Sequence, residues 1–162
     1  MEKKIYKQRM YAFTLRHLSP LDKGIQAAHA IVEYGRMFND NKEYKQWADE
    51  DKTLIVLNGG TTTDLKELVK TLVYKKHIHI GQFFEPDLDN IRTAVVCLID
   101  ERVWNTEGYP NINNLNTINE SSLLVGNPKF DIPDDFYDKF GGKNKYDRCM
   151  DLRNFIFSYK LA

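Results

Sequence analysis

The sequence predicts an α/β domain built in layers. Three observations carry that expectation. Short runs rich in apolar and aromatic residues recur at 10–16, 52–60 and 92–100, and each ends in turn-forming or charged residues. Between them lie longer stretches with apolar residues at helical spacing, chiefly 20–38 and 61–76. The order then alternates strand and helix, which favours helices packed on a sheet. The chain has 162 residues, 42% of them hydrophobic, which suits one domain with a sizeable core.

"MYAFTLR", residues 10–16, reads as the first strand. "HLSP" follows, with Ser19 as a helix N-cap and Pro20 at the first helical position, where no N–H is needed. Asp22 in the first turn suits the helix dipole, and the helix is predicted from Pro20 to about Phe38. "NDNKEYKQWADED" predicts a short second helix, with Tyr44 and Trp47 at i, i+3 packing one aromatic edge. "KTLIVLNGG", residues 52–60, reads as a buried strand stopped by two glycines. Leu65, Leu68, Val69 and Leu72 then mark a third helix with a threonine cap. "HIHIGQFF", residues 77–84, alternates into a third strand, "EPDLDN" is a turn, and "RTAVVCLID", residues 92–100, is the central fourth strand. From Glu101 to about residue 135 no period holds, and this connection either covers the domain edge or carries function. "NKYDRCMDLRNFIFSYKLA" closes the chain as a helix anchored by Met150, Phe155, Ile156 and Tyr159. The expectation is a single domain over 1–162, with a core at 1–100 and a C-terminal elaboration at 101–162.

Composition narrows the function classes. The 23 basic side chains balance 23 acidic ones, so no global field draws the chain to nucleic acid or to an anionic membrane. The two cysteines, Cys97 and Cys149, show no metal-type spacing, and Cys97 sits in an apolar run as a reduced core residue. No secretory leader is visible, and no run approaches the about 18 apolar residues of a membrane span. A cytoplasmic protein without metal or cofactor is expected.

Two constellations could carry chemistry. The first is on the first helix, "KGIQAAHAIVEYG". A helical wheel places Ile25, Ala28 and Val32 on a core stripe, His29 at its edge, and Gln26 and Glu33 just beyond. These polar residues read either as a hydrogen-bonded core shoulder or as a ligand surface, with Ala27 and Ala30 allowing close approach. Backbone N–H groups of Leu21, Asp22 and Lys23, with the Lys23 charge, offer an anion site at the helix start. The second is "FFEPDLDN": Glu85, Asp87 and Asp89 beside Phe83 and Phe84. It reads as a solvated turn, or as a ligand loop in which phenylalanine stacks on a base and a carboxylate binds base or ribose. Glu85 is also placed to act as a general base if desolvated. "NGGTTTD" lacks the P-loop lysine and reads as a strand–helix turn. His77 and His79 are two strand residues rather than a metal pair, and the basic "FGGKNKYDR", residues 140–148, reads as a linker that can touch phosphate.

The element order, "QAAHA" at 26–30, "KTLIVLN" and the Thr93-bearing "TAVV" resemble the type II peptidyl-tRNA hydrolase family over the first two-thirds of the chain. That resemblance implies a three-layer α/β/α domain with a mixed four-stranded sheet, and cleavage of the ester joining peptide to tRNA. It keeps Gln26, His29 and Ala30 of the family's Lys-Gly-Lys-x-Ala-Ala-Gln-x-x-His-Ala run, but "SPLDKGI" stands in place of the basic half. Thr93 matches the family's strand threonine, while "GQFFEPDLDN" replaces its Asp-Ala-Gly-x-Thr-Gln turn. The expected function is a divergent member that binds a nucleotide or RNA-derived ligand, with sequestration of a nucleotide signal as one form of that reading. An active hydrolase and a ligand-free oligomeric partner-binding protein are the alternatives. The expected ligand set is Lys23, Gln26, His29, Glu33, Phe83, Phe84, Asn90 and Thr93, with Glu85, Asp87 and His29 as catalytic candidates. The expected partner is a nucleotide-like molecule or tRNA, with a homo-oligomer possible and no membrane.

Overall fold

The computed structural model describes residues 4–112, 132 and 135–162. β1 (Gln8–Leu15) leads into α1 (Pro20–Phe38) and the short α2 (Lys42–Gln46), which continues in a wide turn at Trp47–Asp51. β2 (Leu54–Gly60) and α3 (Thr62–Lys70) follow, then β3 (Ile80–Glu85), β4 (Ile91–Asp100), the single-turn α4 (Glu101–Trp104) and α5 (Lys143–Phe157). The sheet is mixed, in the order β2-β1-β4-β3. β1 pairs parallel with β2 and antiparallel with β4, and β3 closes the far edge antiparallel to β4.

The two central strands are buried on both faces and their side chains alternate. Met10, Ala12, Ala94, Val96 and Leu98 meet Ala27, Ala30 and Tyr34 of α1. Tyr11, Phe13, Val95, Cys97 and Ile99 meet Leu65 and Leu68 of α3 and Leu152 and Ile156 of α5 on the other face. Helices therefore cover both sides of the sheet, and the C-terminal region shares the second core. Arg153 ties it there: buried, it donates to the carbonyls of Val103 at 2.6 Å, Arg102 at 2.9 Å and Tyr109 at 2.6 Å. Burial of Cys97 pushes its thiol up to about 12, which keeps it an unreactive core residue.

Several expectations change. The α1 stripe is rotated: Gln26, Ala27, Ala30 and Tyr34 are buried, while Ile25 (44% exposed), Val32 (59%) and Ala28 face outward. The reason is approach distance. At Gly81 of β3 an added Cβ would lie 2.6 Å from the Ala30 carbonyl oxygen and 2.7 Å from the Tyr34 Cβ. The missing side chain of Gly81 permits that contact with the α1 backbone, and the small Ala27 and Ala30 keep the helix close to the sheet. β2 is half-buried rather than fully buried. β3 starts at Ile80, not at 77, because His77 takes a left-handed backbone (φ 53) and the Ile78 N–H turns back to the Leu72 carbonyl. The last helix stops at Phe157, and the chain end pairs with β2 instead. The Asn58 N–H donates to the Lys160 carbonyl and the Ala162 N–H to that of Val56, which covers the open sheet edge. Most of the unpatterned connection, residues 113–131 and 133–134, lies outside the described residues.

Candidate functional site between α1 and the β3–β4 hairpin

Alternate residues of β3 run along α1. Gly81 lies against Ala30 and Tyr34, Phe83 against His29, and Glu85 against Gln26. Two strand residues advance about 6.8 Å and one helical turn about 5.4 Å, so the two elements stay nearly in step over this length. α1 is fixed at its start by Ser19, whose hydroxyl accepts the Asp22 N–H at 3.1 Å.

A β-bulge completes the site. Phe83 pairs with Ala94 and Phe84 with Arg92, so Thr93 is the extra residue of β4. Strict alternation would put Thr93 with Val95 and Cys97, on the face away from α1. The bulge instead lets its hydroxyl reach Gln26 on α1.

The result is a directed hydrogen-bond chain. Thr93 Oγ1 donates to Gln26 Oε1 at 2.6 Å, and Gln26 Nε2 donates to Glu85 Oε2 at 2.7 Å. A carboxylate only accepts, so the Gln26 amide nitrogen must face Glu85. Its oxygen must then face Thr93, and Thr93 must donate. Gln26 is buried at 8% exposure with both amide ends bonded, and Thr93 is fully buried. The Thr93 proton is therefore committed, which makes Thr93 a positioning residue. Glu85 is half-buried, and its Oε1 makes no hydrogen bond among the described residues. That oxygen can accept a hydroxyl, an amine or a water proton.

His29 lies one turn along α1 from Gln26, stacked on Phe83 with ring centroids 4.4 Å apart and planes 16° apart. His29 is exposed, whereas the expectation placed it at the edge of a core stripe. Glu33 pairs with Arg36 at 3.0 Å on the helix surface. Phe84 turns to the Arg92 guanidinium, 4.9 Å from its ring, and Arg92 donates to Gln82 at 2.9 Å. Sequence reading overlooked Arg92. Its one signal was a cation beside a Phe-Phe pair across a short turn.

Asp87 is exposed on the Pro86–Leu88 turn and makes no hydrogen bond among the described residues. Asp89 and Asn90 both take left-handed backbone (φ 53 and 54), and the Asn90 N–H closes the turn onto the Glu85 carbonyl. Asparagine and aspartate tolerate this conformation, which accounts for both residue types. Lys23 is half-buried, and its N–H donates to the Ser19 carbonyl. The Asp22 N–H is also taken and the Asp22 carboxylate is bonded to the Ser19 hydroxyl, so two of the three backbone donors expected for an anion at the α1 start are engaged. At "NGGTTTD" the Thr61–Asp64 capping box occupies the start of α3 in the same way. His77 and His79 do not form a strand pair: His79 stacks on Phe38 with centroids 4.7 Å apart.

Among the described residues no group of three His, Cys, Asp or Glu side chains is placed to hold a metal, and no helix is long and apolar enough to cross a membrane. In comparisons with known proteins, no family model matches the chain and no curated protein matches it significantly.

Proposed function

We propose that the chain is a divergent relative of the type II peptidyl-tRNA hydrolases, and that the surface between α1 and the β3–β4 hairpin binds a nucleotide or RNA-derived ligand. The observation that carries the reading is the Thr93–Gln26–Glu85 chain. It ties α1 to both strands of the β3–β4 hairpin and, among the described residues, leaves one carboxylate oxygen unbonded at the end of a fully oriented network. Beside it the exposed His29, backed by Phe83, offers a flat face to a base or ribose. A hydrogen bond from a ribose hydroxyl to Glu85 and stacking on His29 would use both features at once. Calorimetry against AMP and against deacylated tRNA tests the proposal. His29→Ala removes an exposed side chain, so it is expected to weaken binding while leaving the melting temperature nearly unchanged. Unchanged affinity for every ligand that the parent binds would remove the reading.

A second reading, association of the chain with a copy of itself, is favoured by the outward stripe of α1. Leu21, Ile25, Ala28 and Val32 follow a 4-3-4 spacing, the seam of paired helices, and Leu21 is 74% exposed. Sedimentation is expected to give a dimer that Ile25→Asp with Val32→Asp converts to monomer. A parent chain that sediments as a monomer at its highest soluble concentration would exclude this reading.

A further inference from the structure

On the sheet face away from α1, a cavity of about 280 Å³ opens between α5, the end of β4 and the turn after α3. Its floor is apolar, with Val103 and Leu152 from the second core. Its rim carries five cations: Lys75, Lys76, Arg102, Lys145 and Arg148. Among the described residues only two acidic side chains share the lining, and both are already paired. Asp151 binds Lys76, and Asp100 binds Arg102 through two hydrogen bonds of 2.9 and 2.7 Å. The side chains of Lys75, Lys145 and Arg148 make no hydrogen bond or ion pair among the described residues.

The chain as a whole is neutral, with 23 basic and 23 acidic side chains, so this excess of positive charge is a matter of placement. Lys145, Arg148, Cys149 and Leu152 recur at i, i+3, i+4 and i+7 of α5. One helix face thus sends two apolar groups into the floor and two cations to the lip. Gathering like charges over an apolar floor costs repulsion that a bound anion relieves, and such a floor strengthens each attraction. The volume holds an anion about the size of pyrophosphate. Lysines supply point charges and arginine a planar fork, the pairing that phosphate oxygens accept best.

We infer that this cavity is an anion site for phosphate groups, separate from the Gln26–Glu85 surface and independent of its function. The phosphates can belong to a free phosphate compound or to an RNA backbone. The test titrates the full chain with inorganic pyrophosphate at low salt, by calorimetry and phosphorus NMR, and repeats it with a short single-stranded RNA as competitor. The parent is expected to bind pyrophosphate. Lys145→Gln with Arg148→Gln, both exposed positions, is expected to weaken binding about tenfold or more per cation while the circular dichroism spectrum is unchanged. Lys45→Gln with Lys66→Gln, the same charge change away from the cavity, should leave it intact, as should Glu85→Gln. Competition by RNA would assign the site to a backbone, and its failure to a free phosphate compound. Absence of pyrophosphate binding by the parent, or equal weakening by the two double variants, overturns the inference.

Discussion

Gly81→Ala is expected to cost about 3 kcal/mol or more of folding stability, because it overpacks the tight contact between α1 and β3. The added methyl would stand 2.6 Å from the Ala30 carbonyl oxygen and 2.9 Å from the Tyr34 nitrogen, both backbone atoms that no rotamer change can move aside. Either α1 lifts from β3 or β3 bends, and both responses disturb the burial of Ala27, Ala30 and Tyr34. They also stretch the 2.7 Å bond between Gln26 and Glu85, so the variant should lose ligand affinity at temperatures where it remains folded. Gly24 in the same region supplies the contrast. A Cβ there meets nothing within 4 Å, and Gly24 lies inside α1, so Gly24→Ala is expected to raise stability by about 0.5–1 kcal/mol. Urea unfolding of both variants checks the pair. Equal midpoints would mean that α1 does not sit as close to β3 as described.

The same contact marks where the sequence stops being legible. Local signals placed α1 well. Ser19 and Pro20 define its start, and the structure runs it from Pro20 to Phe38. The continuous run at 92–100 likewise became the buried central β4. Which face of α1 would be buried was not legible, because hydrophobicity ranks Ile25 and Val32 above Ala27 and Ala30. The buried face is the one that meets Gly81 of β3, whose missing side chain leaves room for the α1 backbone at Ala30 and Tyr34. Thr93 was recognised by resemblance, yet its orientation depends on a bulge, and a bulge is a property of two strands together. Glu85 was singled out as a candidate base and Gln26 as a candidate ligand, but nothing local tied them to each other across 59 positions. Arg153 was missed because a charged residue on the inner side of a helix looks like a surface residue until its three carbonyl partners, contributed by α4 and the segment after it, are brought against it.

Glu85→Ala is expected to have the largest functional effect of any single substitution in the chain. Calorimetry should show affinity for a nucleotide or tRNA ligand falling by about ten- to a hundredfold, the value of one hydrogen bond to a charged group. Cleavage of peptidyl-tRNA by the parent is expected to be weak or absent, since "SPLDKGI" stands where a basic run would hold the phosphates. Any single-turnover cleavage that is detected should fall by about two to four orders of magnitude in Glu85→Ala, the usual contribution of a general base. The distinction between the two roles lies in Glu85→Gln. Glutamine keeps the shape and a hydrogen-bonding oxygen, so a purely binding role retains part of the affinity. A base role loses turnover as completely as with alanine. Glutamine also presents an amide nitrogen or oxygen to the Gln26 amide, and an oxygen facing Gln26 preserves the network with Thr93. Asp87→Ala serves as the internal comparison. Asp87 is exposed on the turn with no positioning partner among the described residues, so its loss should leave binding and turnover unchanged. If Asp87→Ala proves as damaging as Glu85→Ala, the turn rather than the Thr93–Gln26–Glu85 chain governs the site, and the carboxylate that matters is one the ligand must draw inward.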